Sequence, residues 1–210
     1  MPMKLALSVS TRGAVLALAL VATAMAGSIV PPATAAGEKL VIKAVVEKHL
    51  KQLPTGPLYW RLENFPTLPQ AQAAVGPTSL AAEIEGKAWL FTLGPKGGAT
   101  PGASKVAEIG PLPSLTAPDY LLRINQASGP PGAKTAVHSH PGSEAFYVLA
   151  GQVGQQTPDG VHHADRGQAM NGHPANTAME VFSSGTSDLD QLVMFLVDAT
   201  KPFSVPAKLE

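Results

Sequence analysis

The sequence predicts an all-β protein built as a sandwich or closed barrel, and two observations carry that prediction. After Pro57 the chain falls into short runs rich in aromatic and β-branched residues, separated by Gly and Pro. The runs lie at 58–65, 80–85, 87–93, 120–125, 135–140, 144–150, 151–157, 161–164, 179–183 and 189–197. Recurrent short strands with turn residues between them mark this class. Gly and Pro contribute 20 residues each to a chain of 210, and only 14% of it is charged. Such a composition favours turns over long helices, and the length suits one domain with a tail.

Residues 1–35 read as a secretory signal peptide. Lys4 and Arg12 precede an uncharged run from Ala14 to Val30, and the small residues that follow Pro31 and Pro32 supply a cleavage site after Ala35, with Ala26 as second choice. Cleavage leaves an exported chain with 13 basic and 15 acidic residues and no permanent membrane anchor. Residues 36–57 are predicted to hold an amphipathic helix and a linker. Between Glu38 and Leu53, Ile42, Val45, Val46 and Leu50 fall on one helical stripe, and Pro54 and Pro57 end it. That stripe would pack on the domain or on a second copy in a homodimer. Residues 58–210 are assigned to the barrel. Residues 68–75 suggest one short helix, and the Gly- and Pro-rich stretch 94–110 a long loop or edge hairpin.

Several chemistries are excluded outright. The balance of 15 basic and 15 acidic residues, without basic clusters, gives no footprint for nucleic acid. With no Cys there is no disulfide, thiolate zinc site, iron–sulfur cluster or cysteine nucleophile, so any metal is held by His, carboxylate or thioether. The glycine-rich stretches at 94–98 and 129–135 precede no helix pattern, as a phosphate loop would require.

The residues that carry chemistry are His138-Ser139-His140, then Pro141-Gly142-Ser143 and Glu144. Residues two apart in a strand share a face, so both imidazoles converge on one point. A Pro-Gly-Ser turn returns the chain so that Glu144 opens the next strand toward that point, with Phe146 and Val148 continuing its face into a core. Two imidazoles and one carboxylate match the donor set that holds a divalent first-row metal (Fe, Mn, Zn, Cu or Ni) with open positions.

From Gly132 to Gly151 these residues reproduce the first signature of the cupin superfamily, G-x5-H-x-H-x3-E-x6-G, at every position. The chain thus resembles a cupin over a core of about residues 119–198. The resemblance implies a single small jelly-roll barrel with a metal in its mouth, at positions matching His138, His140 and Glu144. The second signature, which supplies a fourth histidine, is degenerate. Strict spacing from Gly167 puts His173 where Pro is expected and Ala178 where His is expected, and a one-residue slide puts Met179 at the His position. The fourth position therefore falls to His173, to Met179, or to water and substrate. A thioether there would favour copper, and plain packing is the preferred role for Met179.

Two classes of function follow. One is an exported barrel that binds a metal and acts on a small molecule, as an oxidoreductase, isomerase or lyase. The other is a metal-poor barrel that binds a small molecule or serves a structural role. His49 and the pair His162-His163 read as solvated or structural, Trp60 and Trp89 as core or lid, and Arg123 and Gln126 as candidate contacts for a polar ligand.

Overall fold

The computed structural model describes residues 38–209, so the expected signal peptide and both of its cleavage points lie outside the described residues. The first part of the described chain forms β1 (Val41–Leu50), β2 (Tyr59–Phe65), α1 (Leu68–Ala73), β3 (Ser79–Ile84), β4 (Lys87–Gly94) and β5 (Ser104–Ile109). The second part forms β6 (Tyr120–Gly129), β7 (His138–Ser139), β8 (Gly142–Ala150), β9 (Gln152–Thr157) and β10 (Gly160–Asp165). It ends with β11 (Ala169–Met170), β12 (Glu180–Ser183), β13 (Leu189–Asp198) and β14 (Val205–Pro206).

One wall of the barrel is a sheet of order β1-β6-β13-β8-β11. The other has the order β10-β9-β12, extended where His138 and Met179 exchange backbone bonds of 2.9 and 2.8 Å, and then by β14 pairing with β7. Phe146, Val148, Val193 and Phe195 of the first wall share one core with Val153, Ala164 and Val181 of the second. This is the arrangement of a double-sheet jelly roll.

A third layer lies outside the first wall. Strands β3-β4-β2-β5 form their own sheet, whose Trp60, Leu62, Trp89 and Phe91 pack on Leu122, Ile124, Leu192 and Met194. Strand β13 is thus sandwiched: Leu192, Met194 and Leu196 face the outer core, while Val193, Phe195 and Val197 face the barrel. Burial on both faces explains why this run reads as continuously apolar. The Gly- and Pro-rich stretch resolves as an edge strand, β5 on β2, and both tryptophans are core residues. Helix α1 is capped by Thr67, whose side chain accepts from the Gln70 amide, and Pro69 occupies its first turn.

The predicted amphipathic helix over 38–53 is corrected to a strand. Residues 41–50 pair antiparallel with β6. The register shifts between Ala44 and Val46, and this bulge brings the neighbours Val45 and Val46 together against the outer core. An extra residue breaks the two-residue alternation, so a bulged strand presents apolar residues at spacings that imitate a helical stripe. The β-branched residues Val41, Ile42, Val45 and Val46 and the open edge of β6 decide for the strand.

Candidate functional site

The barrel encloses a cavity of about 370 Å³ whose wall includes His138, His140 and Glu144 beside Phe146, Val193 and Phe195. His138 stands on β7, and His140 follows directly after it. Glu144 comes from β8, opposite Phe195 of β13. Two glycines allow this packing. A Cβ on Gly142 would lie 2.1 Å from the Leu196 carbonyl, and one on Gly172 would lie 1.4 Å from the Glu144 carbonyl. The loop after β11 is thereby pressed onto the backbone that carries Glu144.

Both imidazoles are oriented by backbone. His138 Nδ1 is 2.8 Å from the Ala136 carbonyl, and His140 Nδ1 is 2.6 Å from the Phe203 carbonyl. A carbonyl only accepts, so each Nδ1 donates, which leaves Nε2 as the ring nitrogen that can carry a lone pair. The rings meet edge to face with centroids 4.9 Å apart. Burial, aided by the neighbouring His138, pushes the His140 pKa down to about 4, so His140 is neutral at physiological pH. Its Nε2 is buried without a hydrogen-bond partner and lies 3.7 Å from Glu144 Oε2.

Glu144 is fully enclosed. Burial pushes its pKa up to about 8, against the opposing donation from Gln155 Nε2 to Oε1 at 2.8 Å. It therefore carries its proton at neutral pH. The same Gln155 amide lies 3.3 Å from Met179 Sδ. Met179, only 2% exposed, thus sits beside the trio with its sulfur taken up by Gln155. Among the described residues no three His, Asp or Glu side chains are gathered into a ready coordination shell.

His173 is not brought to this place. Its ring lies 5.8 Å from that of His162, and it is absent from the cavity wall. His162 and His163 are exposed on β10, with His163 Nδ1 3.1 Å from Ser184 Oγ. His49 is exposed beside Asp119, at 3.6 Å. Arg123 donates to Glu47 at 2.8 Å and lies over the Phe203 ring, and Gln126 donates to Asp190 and Glu85, so neither is free for a ligand. Three residues of the site carried no motif signal: Asn125 and Gln191 on the cavity wall, and Gln155 behind Glu144. Only alternation could have found them, since Val153, Gln155 and Thr157 share a buried face of β9, and Gln191 continues the face of Val193 and Phe195.

Fold and site together define a jelly-roll barrel whose apolar cavity is lined by a half-buried His138 and by buried His140 and Glu144. The complete first signature lies around β7 and β8 of this jelly roll, so the likeness to cupins is one of fold and motif. No protein-family profile matches the chain, and no curated protein matches it. Solved structures similar to it include a cupin-like protein of Thermotoga maritima, at 18% identity over 42% of this chain and 65% of that one, with a TM-score of 0.38. A DMSP lyase of Ruegeria pomeroyi is similar at 18% identity over 41% and 43%, TM-score 0.36. A polyketide cyclase of Streptomyces resistomycificus is similar at 20% over 42% and 62%, TM-score 0.36. The chain spans less than two thirds of the length of each of these three. Its barrel type rests on its own strand order and motif, and its chemistry on its own residues.

Proposed function

We propose that this chain is an exported barrel that holds one divalent metal ion through His138, His140 and Glu144 and presents it to a small, largely apolar molecule in the cavity. The observation that carries the reading is His140 Nε2, a lone pair fixed by the Phe203 carbonyl, buried, and without a partner. Buried polar atoms are nearly always satisfied, and an unfilled one calls for an explanation. An ion between imidazole and carboxylate supplies it, and Glu144 would then be held ionised. The donor set fits such an ion, with His138 Nε2 left free by the bond from Nδ1 to Ala136.

The chain's own residues do the positioning. The Phe203 and Ala136 carbonyls fix both tautomers, as outer partners of metal-bound histidines commonly do. Gln155 holds the Glu144 carboxyl and occupies the Met179 sulfur. That leaves the usual fourth position to water or ligand and favours nitrogen- and oxygen-loving ions over copper(I). When bound, the ion supplies Lewis-acid polarisation of a ligand oxygen. The apolar wall of Phe146, Val181, Val193 and Phe195 excludes water from that oxygen.

Metal analysis of protein recovered from its exported compartment tests this. About one ion per chain is expected, lost in both His138→Ala and His140→Ala and retained in His49→Ala. Negligible metal in the wild type, or equal content in His140→Ala, would contradict it. The second reading, a metal-free binding barrel, is favoured by the neutral state of Glu144 and would be supported by that result. Export is tested by intact mass, with loss of 35 or 26 residues expected.

A further inference from the structure

Gln191 is the most deeply buried polar residue whose purpose the metal reading leaves unexplained. It is 0% exposed, and neither its Oε1 nor its Nε2 has a hydrogen-bond partner. It lies on the cavity wall with Asn125, which is 5% exposed and whose Oδ1 is likewise unpartnered. The strand register places both. Ala127, Gln191 and Val148 form one row across β6, β13 and β8; Asn125, Val193 and Phe146 form the next; Arg123, Phe195 and Glu144 form a third. Gln191 is four residues along β13 from Phe195, about 13 Å of strand, so it marks the opposite end of the cavity from the carboxyl of Glu144. Asn125 and Gln191 are diagonal neighbours on adjacent strands, within reach of one bound group.

We infer that Gln191 and Asn125 form a second recognition pole, which reads a neutral amide edge on the cavity's ligand: a carboxamide or a lactam. This deepens the proposed function and rests on the cavity being a ligand site. A primary amide gives each of the three unpartnered atoms a hydrogen bond. Its carbonyl accepts from Gln191 Nε2, one N–H donates to Gln191 Oε1, and the other donates to Asn125 Oδ1. A lactam gives one bond to Gln191 Nε2 and one to either oxygen. A carboxylate has no proton to offer either oxygen. The lysines on the cavity wall do not change this: Lys39 and Lys134 are exposed, and Lys134 is paired with Glu180 at 3.0 Å. Phe146, Val181 and Val193 between the poles suit an aromatic or aliphatic body. Without ligand, the Gln191 amide is desolvated with nothing in return. An apolar residue of equal volume at this position therefore makes the fold more stable, as commonly happens when a site residue is replaced.

The test compares Gln191→Met with the wild type, using benzamide, benzoate and toluene as probes in calorimetric titration, alongside thermal unfolding and metal content. The wild type is expected to bind benzamide more tightly than either other probe. Gln191→Met should weaken benzamide roughly ten- to hundredfold, raise the unfolding midpoint, and leave metal content unchanged. Equal benzamide affinity in variant and wild type, tighter binding of benzoate than benzamide, or a lowered midpoint would overturn the inference. Should Gln191→Met fail to fold, Asn125→Leu gives the same comparison on benzamide. Metal retained with benzamide unaffected refutes this pole alone. Gln191-dependent benzamide binding in a metal-free wild type refutes the metal reading alone.

Discussion

Glu63 and Glu144 are both almost entirely buried, at 1% and 2% exposure, yet they are held in opposite ways. Glu63, in the outer sheet, loses hydration but accepts from the Thr100 backbone at 2.8 Å and from its hydroxyl at 2.6 Å. Arg61 Nε adds an ion pair at 3.0 Å. These partners outweigh burial and hold the carboxylate below its ordinary range. Glu144, in the barrel, has only the neutral amide of Gln155, and burial wins. Burial alone, then, does not mark a functional carboxyl; burial without a compensating cation does. The same contrast holds for the two cores. The outer sheet leaves Trp60 Nε1 and Arg61 Nε without hydrogen-bond partners, whereas the barrel leaves polar atoms of Asn125, His140 and Gln191 unpartnered around one cavity, with Gln155 Oε1 and Ser183 Oγ buried elsewhere in it.

The same substitution at both positions should separate them most strongly. Glu63→Gln strands the mostly buried Arg61 charge and is expected to destabilise by about 3 kcal/mol. Glu144→Gln replaces a neutral acid with a neutral amide and should change metal-free stability by less than about 1 kcal/mol, while abolishing metal binding. Urea unfolding of both variants checks this, and equal losses would erase the distinction.

The pH dependences should also run in opposite directions. Glu63 has a depressed folded pKa, so its contribution is present above 4.5, its ordinary value, and is lost as pH falls through the depressed value. Glu144 has a raised folded pKa, so its contribution is full below 4.5 and is lost as pH rises through about 8. Metal-free protein should therefore have a lower urea midpoint at pH 8.5 than at pH 5.5, a drop that Glu144→Gln removes and bound metal reverses. No drop in the wild type would show that Glu144 is compensated after all.

Met179 gives the smallest effect. It stands at the sequence position of the usual fourth imidazole with its sulfur against Gln155, and Met179→Leu conserves volume, so a loss below ~1.5 kcal/mol with unchanged metal content is expected. Metal lost from a folded Met179→Leu protein would make the sulfur a ligand. Met179→His, placed beside Gln155 and Glu144, should tighten metal binding.

Much of this could be read in the sequence because it rests on local rules. Two-residue alternation put Glu144, Phe146 and Val148 on one face, and α1 lies within the short helix expected over 68–75. The strand β1 could not be read, because its bulge at Val45 replaces alternation with a helix-like spacing and its partner β6 lies 70 to 87 residues away in sequence. The separate outer sheet was equally invisible, since its strands look like barrel strands until they pair. His173 lies in a loop, where spacing says nothing of direction. The unpartnered Gln155 carbonyl oxygen and Gln191 amide belong to no motif, and only three-dimensional burial singles them out.

The most direct test of the central claim is the proton count on metal binding. If Glu144 is neutral in the free cavity and becomes a ligand, titrating metal-free protein with Zn²⁺ at pH 7 in two buffers of different ionisation enthalpy should give one ion bound and close to one proton released per chain, with both lost in Glu144→Gln. Binding without proton release, or binding that Glu144→Gln leaves intact, would contradict the account.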